Sequence, residues 1–317
     1  MTKLEDATRV ALQTCLGLKP HETLLVLADP PLSHLARTMV EVARGIAWEV
    51  LFLEYGQRGQ NGEEPPQPVP AAMQLVDAVL AITSRSITHT KARREATAAG
   101  ARVATMPGIT EEMLIRTMTA NYEEVAVRTR QVAEMLSQAA VARVTTSAGT
   151  DITLPIAGIR ATASTGLIRE KGQWGNLPSG EAYLMPEEGK ANGVVVVDGA
   201  MAGIGLLEEP IVITVKAGLA VAVEGGKQAQ EFLQQLEAVG PGARNVAELG
   251  VGTNPNAQVT GVILEDEKVL GTVHIAFGNN LSMGGTVDVP FHVDGILLNP
   301  TLTLDGRPIL VEGKPLF

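Results

Sequence analysis

The sequence predicts an α/β N-terminal domain built on a parallel sheet, followed by a mostly antiparallel α+β C-terminal domain. Up to about residue 140, apolar runs of strand length alternate with amphipathic stretches of helix length. This alternation is typical of a parallel sheet with helices on both faces. Beyond that point, short strands follow one another through Gly-containing turns, which favours antiparallel pairing. We therefore expect a doubly wound domain at residues 1–140 and an α+β domain at residues 141–317.

The elements of the first domain follow from hydrophobic spacing. Helical periodicity predicts helices at residues 5–18, 32–45, 70–77, 90–99 and 110–138. Short apolar runs predict strands at residues 23–28, 48–54, 78–83 and 102–106. Lys19-Pro20 ends the first helix, since proline cannot continue it. The strands are apolar throughout, as expected when both faces of the sheet are covered.

The second domain is predicted to consist mainly of short strands joined by tight turns. Its strands are expected at residues 143–146, 151–155, 194–198, 211–216 and 219–224, with one helix at residues 227–239. Ser147-Ala148-Gly149-Thr150 and Asp305-Gly306 are hairpin turns by composition. The segment 57–70, rich in Gly, Pro and Glu, is predicted to be an exposed loop.

Composition excludes several classes of partner. A net charge of −10 and only 3% aromatic residues argue against a nucleic-acid partner, which needs positive charge and stacking platforms. No apolar run is long enough to cross a bilayer, and no signal peptide is recognisable. The single cysteine, Cys15, suits a reducing compartment. We therefore expect a soluble cytoplasmic protein that acts without a membrane or nucleic-acid partner.

Two histidines and an aspartate near the C-terminus form a candidate metal site. His292 and Asp294 are two residues apart, so in a strand their side chains project from the same face. His274, in Gly-Thr-Val-His-Ile-Ala-Phe-Gly, is expected on a neighbouring strand. Two imidazoles and one carboxylate commonly hold a catalytic divalent ion with open positions. A buried strand histidine beside a chance His-x-Asp pair explains these three residues equally well.

Two glutamates in unusual settings extend this candidate site. Glu181 follows Asn-Leu-Pro-Ser-Gly, in which Gly and Pro favour a bend. Glu248 lies among apolar residues and glycines in Asn-Val-Ala-Glu-Leu-Gly-Val-Gly-Thr-Asn. A buried carboxylate is costly unless it is paired or binds a metal. Each glutamate alone reads as an exposed loop residue, but together with the histidines they favour a metal site.

In order and type, these segments resemble the metallo-aminopeptidases of the aminopeptidase T and S group, with the related 2,5-dihydroxypyridine dioxygenases as a sister branch. The segments that carry the resemblance lie at residues 87–93, 176–181, 247–255, 266–268, 271–278 and 292–294. In the aminopeptidases, two divalent ions are held by side chains that match Glu181, Glu248, His274, His292 and Asp294. The resemblance also implies a homodimer.

The leading hypothesis from this resemblance is a metal-dependent hydrolase that cleaves peptide or small amide bonds. A divalent ion, Zn, Co or Mn and possibly two per chain, would activate the attacking water. The catalytic groups would be Glu181 and His89, and the substrate a peptide or a small molecule. The sequence departs from the aminopeptidases in that no tyrosine follows His274 within residues 278–285, and the segment between His274 and His292 and the whole chain are shorter than in typical members.

The alternative is a mononuclear Fe(II) ring-cleaving dioxygenase acting on a hydroxylated pyridine-like or aromatic substrate. The resemblance to the dioxygenase branch places one Fe(II) on His274, His292 and Asp294, with open positions for substrate and O2. His89, between a strand and a helix of the first domain, would contact the substrate, and Glu181 would act as an acid–base group. A third interpretation is a metal-stabilised binding or scaffold protein that kept the fold and lost the chemistry.

Overall fold

The computed structural model describes residues 2–317, and contacts between residues divide the chain into two compact units. The first unit runs to Ala126 and includes Thr165–Ser179, and the second comprises Val127–Ser164 and Gly180–Phe317. The predicted fold class is confirmed, with a parallel sheet in the N-terminal part and antiparallel sheets in the C-terminal part. The domain limits at residues 1–140 and 141–317 stay a prediction, because a compact unit need not be a separable domain.

Most helices of the first unit are shorter than the sequence predicts, whereas the helix predicted at residues 227–239 has those bounds. In chain order they are α1 (Lys3–Arg9), α2 (Ser33–Ala43), α3 (Pro68–Met73), α4 (Lys91–Ala98), α5 (Glu111–Met118), α6 (Tyr122–Gln138), α7 (Lys227–Val239) and α8 (Ile263–Asp266). A π-helical segment, Val10–Cys15, continues α1, and 3₁₀ turns lie at Pro30–Leu32, Pro241–Arg244 and Leu281–Met283. Among residues 2–317, no helix has the length and apolar character needed to cross a membrane.

The strands, in chain order, are β1 (Thr23–Ala28), β2 (Glu49–Glu54), β3 (Ala78–Ile82), β4 (Arg102–Thr105), β5 (Val141–Thr145), β6 (Asp151–Pro155), β7 (Thr162–Ser164), β8 (Trp174–Asn176), β9 (Glu181–Leu184), β10 (Asn192–Val197), β11 (Ala200–Met201), β12 (Gly205–Leu206), β13 (Ile211–Lys216), β14 (Leu219–Glu224), β15 (Val246–Gly252), β16 (Val273–Gly278), β17 (His292–Leu297), β18 (Thr301–Leu304), β19 (Arg307–Val311) and β20 (Lys314–Pro315). Both predicted hairpin turns are confirmed, between β5 and β6 and between β18 and β19.

These strands form three sheets. The parallel sheet of the first unit has the order β2-β1-β3-β4-β8. The second unit contains an eight-stranded antiparallel sheet, β14-β13-β10-β6-β5-β18-β19-β20, and a seven-stranded antiparallel sheet, β12-β11-β17-β16-β15-β9-β7. We call the seven-stranded sheet the site sheet. The edge strand β8 is missed by sequence analysis, since three residues, Trp-Gly-Asn, show no periodicity.

The predicted helix at residues 110–138 is two helices, and the interruption has a local cause. Thr119 ends α5 as its C-terminal cap, and α6 begins at Tyr122. The side chain of Asn121 accepts a hydrogen bond from the backbone N–H of Glu123 at 3.1 Å. Asparagine side chains satisfy the free N–H groups of a starting helix in this way. Asn121 therefore begins a new helix within a region whose hydrophobic spacing looks continuous.

The core of the second unit lies on one face of the site sheet. Along β15 the apolar side chains of Leu249 and Val251 enter this core, and on β16 those of Val273, Ile275 and Phe277 do the same. Side chains alternate between the faces of a strand. A register shift between Val246 and Glu248 leaves Val246 in the core. From Glu248 onwards on β15, and along β16 and β17, the even-numbered residues therefore point to the opposite face, which carries the polar groups.

Candidate metal centre

Four neighbouring strands of the site sheet bring the predicted metal ligands onto one face. We call it the site face; it carries Asp294 and His292 on β17, His274 on β16, Glu248 on β15 and Glu181 on β9. Their alignment follows from the strand register. Gly250 pairs with His274, and Ala276 pairs with Glu248 on one side and Asp294 on the other. Paired residues project to the same face of an antiparallel sheet.

The His274 side chain lies over a glycine of the neighbouring strand. A Cβ atom added to Gly250 would lie 1.9 Å from the Nε2 atom of His274, far closer than non-bonded atoms approach. Position 250 must therefore lack a side chain for the imidazole to reach its place. Glycine within a strand often marks such a close approach. The Glu-Leu-Gly segment of β15 thus supplies both a carboxylate and the space beside it.

Glu248 joins the two histidines. Its Oε1 atom lies 3.3 Å from Nε2 of His274, and its Oε2 atom lies 3.5 Å from Nε2 of His292. The same His292 nitrogen is 3.6 Å from Oδ1 of Asp294. Glu248, His274 and Asp294 are buried, while the side chain of His292 is 34% exposed. The site therefore opens towards solvent beside His292.

Two groups of side chains have the spacing of metal ligands. Glu248, His292 and Asp294 form one group, and Glu181, Glu267 and His274 form the other; within each group the ligand atoms lie within 4.8 Å of one another. The predicted set of His274, His292 and Asp294 is thus divided between the two groups. The contact between Glu248 and His274 connects them. Imidazole nitrogen and carboxylate oxygen are donors that Zn, Mn and Fe(II) all accept.

A buried lysine neutralises part of the acidic charge. Lys268 is fully buried, and its Nζ atom donates to Oε1 of Glu181 at 2.8 Å and to Oε1 of Glu267. The two carboxylates raise the pKa of Lys268 although burial opposes its charge. The pKa of Glu267 rises to about 8, because of burial and the nearby charge of Glu181. This cluster holds Glu181 through a cation that the protein itself supplies.

The carboxylates also hold protons on the two histidines. Burial favours a neutral His274, but the hydrogen bond to Glu248 and the charges of Glu181 and Asp294 raise its pKa to about 9. Burial is likewise outweighed at His292, whose pKa lies well above its ordinary value because of Asp294. Metal ligation needs neutral imidazole. A metal ion entering this site must therefore displace protons.

Backbone contacts orient one imidazole. The Nδ1 atom of His292 lies 2.7 Å from the backbone carbonyl oxygen of Asn279. Once the imidazole is neutral, an N–H donated to this carbonyl leaves Nε2 as the nitrogen with a free lone pair, the usual arrangement for a metal-ligating histidine. In His274, Nδ1 is buried and has no hydrogen-bond partner in the described chain. Both Nε2 atoms therefore point to the carboxylates of the site face.

His89 lies in the first unit rather than on the site sheet. It is an exposed residue between β3 and α4, and its ring packs edge-on against Trp174 with 5.9 Å between ring centres. Thr90, the next residue, caps α4 by accepting a hydrogen bond from the N–H of Arg93. The predicted catalytic role of His89 stays a prediction.

Two residues of the centre are missed by sequence analysis. Lys268 follows Asp266 and Glu267 in the sequence, and a lysine in such a charged segment is expected at the surface. Tyr183 lies two residues after Glu181 on β9 and therefore shares its face. Burial, with the charges of Glu248 and Glu181, raises the pKa of Tyr183, which keeps its hydroxyl protonated. The i, i+2 spacing from Glu181 is the signal that points to it.

Comparisons with known proteins identify the relatives of this chain. The sequence profile of the NicX family, described as 2,5-dihydroxypyridine 5,6-dioxygenase, matches residues 7–316. The 2,5-dihydroxypyridine 5,6-dioxygenase of Pseudomonas putida KT2440 is 26% identical over 192 residues, which are 56% of this chain and 55% of that protein. The match therefore spans about half the length of that curated relative.

Two solved structures share the fold over nearly the whole chain. The 2,5-dihydroxypyridine dioxygenase structure from Pseudomonas putida KT2440 has a TM-score of 0.83 at 19% identity and covers 100% of this chain and 98% of that one. Wild-type AmpT from Thermus thermophilus has a TM-score of 0.73 at 20% identity, with 99% of each chain covered. The resemblance to both branches is confirmed.

The prediction of an aminopeptidase-type hydrolase is wrong. The family profile and the curated relative both name a dioxygenase, and the structural match to AmpT is weaker than the match to the dioxygenase. The identification of this protein as a hydrolase, aminopeptidase or metalloprotease is therefore also wrong. The resemblance implies His274, His292 and Asp294 as metal ligands in both branches, so these residues do not distinguish the two activities. The absence of a tyrosine after His274 is a departure from the aminopeptidases.

Proposed function

Since this chain belongs to the 2,5-dihydroxypyridine 5,6-dioxygenase family and is an enzyme, we propose that it opens the ring of a hydroxylated pyridine with O2. The observation that carries the proposal is the convergence of His274, Glu248, His292 and Asp294 on one face of the site sheet. Two imidazoles and a carboxylate with open positions are typical of non-haem Fe(II) oxygenases.

The proposed reaction balances without an external reductant. In a 2,5-dihydroxypyridine, the bond between the hydroxyl-bearing carbon 5 and carbon 6 breaks, and each carbon receives one oxygen atom of O2. Carbon 5 becomes a carboxylic acid, and carbon 6 becomes a formyl group on the ring nitrogen. The ring supplies all the electrons that reduce O2. The product is an open-chain, unsaturated carboxylate.

The proposed ligands of the iron are His274, His292 and Asp294. Bound Fe(II) would supply the open positions at which O2 and a substrate hydroxyl can meet. The protein's own contribution is to orient His292 through the Asn279 carbonyl and to place Glu248 between the two imidazoles. Lys268 gives Glu181 and Glu267 a positive charge from within the chain, which supports one metal ion rather than two.

Glu181 and its partners are the proposed proton-handling group. Glu181 and Glu267 both accept hydrogen bonds from Lys268. The pKa of Glu267 is about 8, so the pair of glutamates can hold or release a proton near neutral pH. Lys268 fixes the orientation of Glu181 through a 2.8 Å hydrogen bond. We propose Glu181 as the acid–base residue for the substrate hydroxyl and His89 as a substrate contact from the first unit.

The first test measures metal and oxygen chemistry together. Protein purified anaerobically without chelator should contain close to one iron per chain, and with 2,5-dihydroxypyridine it should consume one O2 per ring opened. His292→Ala should lose both the iron and at least about 10³-fold of the activity, because one ligand of the set is gone. His34→Ala, which removes an exposed histidine of α2, should retain both. Two metal ions per chain, or no O2 uptake by iron-loaded protein, would exclude this reaction.

A cytoplasmic location and a homodimer complete the proposal. A reducing compartment would keep iron in the ferrous state and suits the free, buried thiol of Cys15. The homodimer rests on the resemblance to the aminopeptidase and dioxygenase families. Fractionation of cells that produce the protein tests the location, and recovery in a periplasmic or secreted fraction would contradict it.

A further inference from the structure

A buried arginine in the first unit has no counter-charge. Arg93 is 7% exposed; its Nε atom donates to the Thr88 carbonyl at 2.7 Å, and its guanidinium carbon lies 3.9 Å from the centre of the Trp174 ring. Within residues 2–317, no carboxylate pairs with Arg93, and its two terminal nitrogens have no acceptor. Buried charges are normally paired. The terminal nitrogens of this guanidinium are therefore available to an anion from outside the chain.

A neighbouring amide is also left with free donors. The Oδ1 atom of Asn176 accepts hydrogen bonds from the hydroxyls of Thr105, at 2.9 Å, and Thr88, at 3.2 Å. Because these contacts fix the oxygen, the amide nitrogen faces the other way, and it has no acceptor among the residues described. Thr88 thus anchors both donor groups, Arg93 through its carbonyl and Asn176 through its hydroxyl.

These donors stand where a parallel sheet presents its ligands. Thr105 and Asn176 are the last residues of the adjacent strands β4 and β8, and ligands of such sheets bind beyond the carboxyl ends of the strands. The start of α4 is already occupied, since Glu64 accepts hydrogen bonds from the N–H groups of Lys91 and Ala92. The free donors are therefore side chains, not the end of the helix.

We propose that Arg93 and Asn176 form a binding site for a small organic carboxylate, with Trp174 as its wall. A planar guanidinium presents two parallel N–H groups that match the two oxygens of a carboxylate. The indole face against Arg93 keeps that fork in one plane, and Trp174 itself is 40% exposed, so a ligand can reach it. Arg94, which donates to the His89 carbonyl at 2.6 Å, adds a second positive charge beside the site.

The carboxylate site does not depend on the proposed reaction, although the ring-opened product of that reaction is itself an unsaturated carboxylate. The probe is therefore maleamate, an unsaturated carboxylate, and maleamide, its uncharged diamide, is the matched control ligand. Trp174 reports binding, because Trp48→Phe leaves it as the only tryptophan of the chain. Maleamate should change its fluorescence in a saturable way, and maleamide should not. The same result is expected when His292→Ala removes the metal site, which separates this proposal from the dioxygenase.

Variants identify the residues that bind. Arg93→Gln should weaken maleamate binding at least about tenfold, the loss expected for a charge-assisted pair, and Lys91→Gln, an equal change of charge two residues away, should not. If Arg93→Gln does not fold, Asn176→Asp keeps the hydrogen bonds from the threonines and adds a negative charge that repels a carboxylate ligand. It should abolish binding, whereas Asn61→Asp, the same change at an exposed position, should leave it intact.

Three results would overturn the assignment. Equal binding of maleamate by Arg93→Gln and the parent protein would remove Arg93 from the site. Equal binding of maleamide would show that no anion is recognised. Tighter binding of inorganic phosphate than of maleamate, measured through the same Trp174 signal, would replace the carboxylate with a phosphate ligand.

Discussion

At the residue scale, the metal centre depends on a missing side chain as much as on its ligands. His274 reaches Glu248 only because position 250 is glycine: any Cβ there would overlap the imidazole. The two oxygens of the Glu248 carboxylate each contact one histidine. A displacement of one imidazole therefore changes the environment of the other. Glu248 and Gly250 are two residues apart on β15 and therefore lie on the same face. The short sequence Glu-Leu-Gly thus provides a carboxylate and, beside it, the space for an imidazole.

Gly250→Ala should therefore damage the metal site without changing any ligand. The methyl group must displace His274, and misplacing a metal ligand or its support typically costs 10- to 100-fold in affinity. We expect metal content after dialysis, measured by mass spectrometry, to fall by about tenfold or more. Gly45→Ala, where the added Cβ would have only an ordinary contact at 3.5 Å, is the control. Full occupancy of the metal in Gly250→Ala would contradict the steric argument.

At the scale of secondary structure, the parallel sheet is held by a buried ion pair between segments far apart in sequence. Glu22, just before β1, accepts two hydrogen bonds from Arg102, the first residue of β4, at 3.0 and 2.6 Å. The same arginine donates to the carbonyl of Leu16 at 2.9 Å. Side chains of both partners are less than a tenth exposed. This pair ties the N-terminal helical segment to two strands of the sheet.

Glu22→Gln should destabilise the protein by about 3–5 kcal/mol, because breaking one partner of a buried pair leaves the other charge uncompensated. Denaturant unfolding of the two proteins measures the difference. The exposed pair of Glu41 and Arg44, with side chains 68% and 59% exposed, offers the control, and Glu41→Gln should cost no more than about 1 kcal/mol. Equal effects of the two substitutions would disprove a special role for the buried pair.

The stabilisation by Glu22 should also depend on pH. Burial opposes its ionisation, but the hydrogen bonds from Arg102 and the backbone of Lys19 lower its pKa below the ordinary value of 4.5. A lowered pKa contributes stability that is present above the unfolded value and is lost as the pH falls through the folded value. The difference in unfolding free energy between the parent and Glu22→Gln should hence be constant at neutral pH and shrink below about pH 4.5. A difference that grows on acidification would reverse the sign of this argument.

At the scale of the whole molecule, the chain uses two kinds of sheet for two kinds of site. The parallel sheet presents polar side chains, such as Asn176, at the ends of its strands, whereas the site sheet presents ligands from the face of its strands. The difference follows from strand geometry: ligands of a parallel sheet bind beyond the carboxyl ends of its strands, whereas residues two apart in a strand, such as His292 and Asp294, share one face of the sheet.

The proposed homodimer is a prediction for the intact protein. Light scattering on the purified protein should give twice the chain mass of 33.3 kDa, with no dependence on concentration in the micromolar range. Homodimers are the commonest oligomers of soluble proteins. The measured mass decides the question because it distinguishes one chain from two. A mass of one chain at all concentrations would exclude the dimer.

Much of this fold and of its metal site follows from local patterns in the sequence. The alternation of apolar runs and helical stretches predicts the parallel sheet, and the i, i+2 spacing of His292 and Asp294 predicts two side chains on one face. Such features depend on neighbours within a few residues. Local patterns do not predict the short strand at Trp174–Asn176, because three residues are too few to show a periodicity. They also do not predict the helix start at Asn121, because the capping hydrogen bond interrupts a stretch whose hydrophobic spacing is continuous.

By itself, the sequence determined the class of fold, the elements that are long and periodic, and the residue types of a metal site with a buried glutamate. Tertiary structure alone decided that Glu248 stands between the two histidines, that Gly250 makes room for one of them, and that Lys268 is a buried partner of Glu181 rather than a surface lysine. It also decided that Arg93 is buried without a counter-charge. These four facts depend on strand register and on the packing of distant segments, and a one-residue change of register would turn every ligand to the other face.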